Sequence, residues 1–222
     1  MIPLRDTQPS YTFPFVTVAI IVLNVLAFLY EFSMDPYEFN FFIAHYGVIP
    51  TRLEWMDVLT SIFLHGGWLH LIGNMWFLWI YGDNVEDILG HSQFLIFYLL
   101  CGLAATMVHV VFNGDSRVPT IGASGAIAGV MGAYVVKFPH SKITTLVPVF
   151  VFITTMEIPA YLILLYWFVI QFFSGVGSMG HSHLSQGGVA WFAHVGGFLA
   201  GVMLILVMRT QDRFSHRPDM RW

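Results

Sequence analysis

Charge is scarce in this chain: Lys, Arg, Asp and Glu together make up 10% of its 222 residues. Soluble domains carry about 25%, so a water-facing surface over the whole molecule is excluded. Cysteine is nearly absent as well. Cys101 stands alone in an apolar run, which excludes an intrachain disulfide and a cysteine metal cluster. The chain also lacks a phosphate-cradling glycine loop, a dinucleotide fingerprint and a basic surface, so neither nucleotide nor nucleic acid is expected as a partner. What remains is apolar. Hydrophobic residues account for 57% of the chain and the mean hydropathy is +0.72, the composition of a polytopic membrane protein whose solvent is the lipid bilayer.

A spanning helix takes roughly 20 residues, so the length allows several spans and leaves no room for a sizeable soluble domain. The apolar runs, cut by Gly, Pro and polar residues, predict six helices at about 13–33, 66–82, 92–112, 122–138, 156–173 and 188–208 in a single domain covering 1–222. The first run is too long for a signal-peptide core and has no small-residue cleavage site, so it reads as a span. The 146–155 run, LVPVFVFITT, is too short to cross and contains Pro148; it reads as an interfacial lead-in to the fifth span. Basic residues set the orientation. With both termini in the cytoplasm, Arg5, Lys137, Lys142, Arg209, Arg213, Arg217 and Arg221 lie inside, and only Arg52 and Arg117 lie outside. Spans two, four and six then all start at the outer face.

The fourth span holds one hydroxyl among small residues, TIGASGAIAGVMGAYVV at 120–136. From Ser124 to the stop at Pro139 the helix is only ~22 Å long, against a hydrocarbon core of ~30 Å. If Lys137 is held at the inner interface, the helix starts below the outer one, and the chain before it must dip into the membrane. Irregular backbone at that depth has to be buried in protein or line a wet cavity. Ser124 therefore belongs on the floor of an outward-facing cavity, at a helix N-terminus whose free N–H groups favour developing negative charge. A serine in such a helix is more often a packing residue; a base at the same depth argues otherwise. His194, in AWFAHVGGFLAGV at 190–202, lies ~9 Å from the outer end of its span. His194, Gly197 and Gly201 share one helix face, and Ser124, Ala128 and Gly132 share another. Packing these nearly bare faces together brings the hydroxyl to the imidazole, the pairing that acyl transfer requires. No carboxylate is close to His194 in sequence, so the reading is a dyad and not a triad. His70 and Asn74, an i, i+4 pair near the outer end of the second span, can both donate to an oxyanion beside the Ser124 backbone N–H. Taken alone, they are equally well read as an interhelical polar pair.

With HLIGN at 70–74, GASG at 122–125 followed by GAIAGVMGAY, and AHVGG at 193–197, the chain resembles the rhomboid intramembrane serine proteases over about 60–210. The resemblance implies an all-α membrane protein, a six-helix bundle with the site open to the extracytoplasmic side of the cell membrane. It also implies Ser124 as nucleophile, His194 as base, and His70 and Asn74 in the oxyanion hole. Gly122, Gly125, Ala128, Gly197 and Gly201 would give structural support. The segment YGDNVEDILG at 81–90 is a weaker match and places Glu86 in a structural role. The implied substrates are membrane proteins cut in or near a transmembrane segment, with no metal or organic cofactor. Two positions depart from the pattern. Some members carry an aromatic residue packed on the histidine where this chain has Ala128, so the imidazole must be oriented from elsewhere. The first outer loop, about 34–64 and by resemblance partly in the membrane, has only Arg52 and Trp55 near a Trp-Arg pair.

The Gly- and Ser-rich stretch 174–190 reads either as a flexible cap over the cavity or as an ordinary connection. His181 and His183 within it are polar loop residues without a third metal ligand. The acidic stretch 83–87 reads as a solvated helix end, and the basic tail 209–222 as an anchor at anionic head groups. Two rival functions stand beside this reading: a channel or transporter, which needs polar residues continuing into the inner half, and an inactive rhomboid-like binder, which would lack the serine or the histidine.

Overall fold

The structure is a computed structural model that describes residues 2–149, 152–178 and 190–211. It is mostly helical. Helix α1 (Phe15–Phe32) leads into the short helices α2 (Pro36–Tyr46) and α3 (Trp55–Thr60) of the first loop. The long helices α4 (Trp68–Leu89) and α5 (His91–Phe112) follow, then α6 (Ser124–Lys137), α7 (Ala160–Ser178) and α8 (Trp191–Val207). By length and composition, α1, α5 and the 160–177 part of α7 can each cross a membrane, while α6 and α8 are shorter apolar helices. Leu23, Leu26, Ile96, Leu165 and Val169 on the outer faces of the three long helices are exposed, as expected of surfaces that lipid covers.

Helix α6 is the central post. Every residue from Gly125 to Tyr134 is buried, and it packs against α4, α5, α7 and α8. It ends at Lys137 with Phe138 as cap, directly before Pro139, because proline cannot continue the backbone hydrogen-bond ladder. Its partner α8 approaches to backbone contact: a Cβ on Gly197 would land on the carbonyl oxygen of Gly125, and one on Gly201 on that of Gly129. Small residues permit this proximity. The α6 face that meets α8 carries Gly132, as predicted, together with Gly125 and Gly129, each one residue on from the predicted Ser124 and Ala128. Ala128 is fully buried in the main core.

Several sequence expectations need correction. The chain is not purely α: β1 (Ile2–Asp6), β2 (Lys142–Val149) and β3 (Phe152–Pro159) form an antiparallel sheet in the order β1-β2-β3. The described residues of the 146–155 run, 146–149 and 152–155, are therefore strand and not interfacial lead-in, and the fifth helix starts at Ala160 instead of 156. KITTLVPV and FITTMEIP are rich in β-branched residues, which suit a pleated surface, and β1 tolerates Pro3 because it is an edge strand. The predicted second span ends too early, since α4 runs on to Leu89.

The reason is a further correction. The acidic stretch 83–87 is not a solvated helix end: Asn84, Glu86 and Asp87 are buried. Glu86 accepts from the backbone N–H of Val16 at 2.9 Å and Thr17 at 2.8 Å, and from the Thr17 hydroxyl at 2.7 Å. His91 Nδ1 lies 2.6 Å from it. Asp87 takes the Tyr11 N–H and the Thr12 hydroxyl. The first N–H groups of a helix have no intrahelical acceptor, and here a carboxylate from α4 caps α1, favoured also by the α1 dipole. In the first loop, Arg52 donates to the Ala44 carbonyl at 2.9 Å, while Trp55 is exposed.

Candidate active site

The chain entering α6 is irregular and pinned. Thr120 pairs with Val48, and Gly122 donates its N–H to the Ser61 carbonyl at 2.9 Å. Gly122 has φ +122°, a region that only glycine occupies readily. It also has no room for a side chain, since a Cβ there would sit 2.7 Å from His70 Nε2. Helix α6 then begins at Ser124 with Ala123 as N-cap and no side-chain cap. Its first N–H groups, including that of Ser124, are thus left without an intrahelical acceptor beside the serine hydroxyl.

The Ser124 hydroxyl lies 2.7 Å from His194 Nε2. His194 is buried on α8, and its second ring nitrogen, Nδ1, lies 2.6 Å from the side-chain oxygen of Gln171 on α7. The Trp167 ring, one turn before Gln171, lies against the imidazole at 5.6 Å between centroids and 37° between planes. With Ala128 in place of an aromatic, the contacts that hold the histidine come from α7.

A second group of polar side chains adjoins Gly122 through His70 and Asn74. Asn74 Nδ2 is 2.9 Å from His65 Nε2, and the His65 ring packs edge-on against His70 at 5.0 Å. His65 Nδ1 faces the Phe63 carbonyl at 3.3 Å, so that nitrogen carries the hydrogen and Nε2 accepts from Asn74. The Gly66 N–H points at His70 Nδ1 at 3.4 Å, which leaves the His70 hydrogen on Nε2, the atom nearest Gly122. Both His70 and Asn74 thus present donors toward the turn that precedes Ser124. The His65 backbone N–H is in turn held by the buried Glu31 carboxylate at 3.1 Å.

Behind the serine is a cavity of about 30 Å³ lined by Ser61, Thr106, His109, Thr120, Gly122 and Ser124, among others. One water needs about 10–15 Å³ of such space together with polar partners, so the cavity can hold one or two. His109 is anchored there by Thr120, 2.9 Å from its Nε2. Among the described residues, no group of histidine, cysteine or carboxylate side chains has the geometry to hold a metal ion.

The Rhomboid domain family model matches residues 52–211. The chain belongs to the rhomboid family. Ser124, His194, His70 and Asn74 all fall within the matched region. Among similar proteins, "Rhomboid protease GluP" of Bacillus subtilis (strain 168) is 33% identical over 129 residues, 58% of this chain and 25% of that protein. "Presenilin-associated rhomboid-like protein A, mitochondrial" of Danio rerio is 32% identical over 117 residues, 51% of this chain and 30% of the relative. "Rhomboid protein 1, mitochondrial" of Saccharomyces cerevisiae is 34% identical over 92 residues, 40% of this chain and 27% of the relative. These alignments thus span a quarter to a third of each relative's length.

Sequence reasoning singled out Ser124, His194, His70, Asn74 and Gly122, and the fold gathers them around the start of α6. It overlooked His65, Trp167, Gln171 and Glu31. Gln171 had a signal: it is the lone amide in the apolar run YLILLYWFVIQFF at 161–173, and polar residues within spans mark sites by default. The stretch 174–190, read as a cap or an ordinary connection, overlaps α7, which continues to Ser178. Residues 179–189, with His181 and His183, and the tail 212–222 lie outside the described residues.

Proposed function

We propose that the protein is an intramembrane serine endopeptidase that cleaves transmembrane or juxtamembrane segments of other membrane proteins. The observation that carries the proposal is the 2.7 Å approach of the Ser124 hydroxyl to His194 Nε2 at the uncapped start of a buried helix. In this reading Ser124 Oγ attacks the scissile carbonyl carbon as its proton passes to His194 Nε2. The oxyanion is held by the Ser124 backbone N–H, His70 Nε2–H and the Asn74 amide. The C–N bond breaks as His194 returns the proton to the leaving amine. Water from the cavity behind Ser124, deprotonated by His194, then releases the acyl group. These steps use protein side chains and water, without metal or organic cofactor.

We also propose that the chain crosses the bilayer six times, through α1, α4, α5, α6, α7 and α8, with both termini in the cytoplasm and the site open to the extracytoplasmic side of the cell membrane. The excess of Lys and Arg on one set of loops supports that orientation. A substrate helix would have to unwind locally, because its carbonyls are shielded by their own hydrogen bonds.

The test is cleavage of a tagged single-span reporter by purified protein in liposomes. Wild type is expected to cut it, and Ser124→Ala and His194→Ala to lower the rate by at least about 10³-fold while keeping the wild-type unfolding midpoint. Equal cleavage by all three would sink the proposal.

A further inference from the structure

We propose that Gln171 is a positioning residue for His194, a neutral third member that fixes which nitrogen of the base carries the hydrogen; this rests on the protease reading above. Ser124 can give up its proton only if His194 Nε2 presents a bare lone pair, so the resting hydrogen must be on Nδ1. Nδ1 lies 2.6 Å from the Gln171 side-chain oxygen, an acceptor that fits the Nδ1–H form and no other. When the Ser124 O–H bond breaks and the Nε2–H bond forms, the Nδ1–H keeps donating to the same oxygen. The imidazolium is thus held in place while it exists.

The surroundings keep the amide in register. Trp167 and Gln171 are i, i+4 on α7, and His194 and Phe198 are i, i+4 on α8. Trp167 lies against both His194 and Phe198, and Phe168 packs on Phe198 at 4.7 Å between centroids. Gln171 is 7% exposed and His194 8%, so water cannot readily replace the contact. Burial also explains why the position suits an amide. A carboxylate in this apolar helix would bring a charge whose desolvation is costly, whereas an amide oxygen orients the ring and leaves the resting site neutral. The amide has one hazard: turned over, its NH2 would donate to Nδ1, force the hydrogen onto Nε2 and remove the base. For this reason the bond, and not merely the presence of glutamine, is the functional element.

The experiment combines kinetics and 15N-histidine NMR on the full chain in detergent, comparing wild type with Gln171→Met and Gln171→Glu. The His194 signals are assigned by difference against His194→Ala. Wild type is expected to show the hydrogen on Nδ1. Gln171→Met should give mixed or Nε2-protonated His194, and should lower kcat about 10²-fold with KM unchanged. Gln171→Glu, which keeps an acceptor oxygen, should restore the Nδ1–H form and most of kcat. A wild-type His194 carrying its hydrogen on Nε2 would overturn the proposal, as would a Gln171→Met protein with wild-type kcat and tautomer. The protease reading fails separately: cleavage indifferent to Ser124→Ala sinks that reading, while the NMR comparison still reports whether Gln171 sets the tautomer.

Discussion

Two helix N-termini in this molecule meet the same electrostatic problem in opposite ways. At α1 the free N–H groups of Val16 and Thr17 are closed by the Glu86 carboxylate, which is fully buried and also touches His91. At α6 the N-terminus carries no side-chain cap, and a serine hydroxyl, an imidazole and a small polar cavity lie beside it. These bonds to a buried side chain make the first end a structural joint. On the proposed protease reading, the second end is left for an anion that would exist only during a reaction. The difference teaches that an uncapped helix start deep in a membrane protein is informative when a capped one is present for comparison, since the fold had the means to satisfy it.

The strongest way to break this contrast is Glu86→Ala. It leaves the partly buried N–H of Val16 and the buried N–H of Thr17 without an acceptor, and should cost about 2–5 kcal/mol of stability, read as a lower unfolding midpoint in detergent. Activity per folded molecule should hold at temperatures where the variant is folded. If the midpoint stays at the wild-type value, Glu86 is not the joint described here. The complementary change is Asn74→Ala at the other end. It removes one proposed oxyanion donor and should lower kcat about 10²–10³-fold, with only a small shift in midpoint from the lost bond to His65. A variant that loses stability but keeps kcat would make Asn74 a joint as well, and erase the distinction between the two ends.

These two ends were not equally legible in the sequence. The open end was readable because its pieces carry chemistry: a serine, two histidines and an asparagine at helical spacing within apolar runs, next to glycines that allow close approach. Gln171 escaped because a single amide gives no spacing pattern, and its partner is 23 residues away across a connection. The closed end was misread because charges in a row normally mark a solvated face. Nothing local says that Glu86 and Asp87 will meet residues roughly 70 positions earlier. The sheet was missed for a related reason. β1 is a five-residue strand at the very start of the chain, and its pairing with β2 is too distant in sequence to be seen from periodicity.

Helix α6 ties the two ends together, and a small pH effect should report on the tie. At the opposite end from Ser124, the Tyr134 hydroxyl donates to Asp6 of β1. Burial raises the Asp6 carboxyl from its ordinary value of 3.8 to about 6, and the Tyr134 bond partly opposes that rise. Between those two values the folded protein holds the Asp6 proton more tightly than the unfolded chain does. Its contribution to stability is therefore fully present below about pH 4 and is lost as pH rises through about 6. Asp6→Asn, which cannot titrate, should show a flatter midpoint-versus-pH curve across that window than wild type, with the two curves parallel above it. Tyr134→Phe removes the opposing bond, so the decline should continue to higher pH. A wild-type curve that already matches Asp6→Asn would mean that β1 is not held over α6, and that the closed end stops at Glu86 and Asp87.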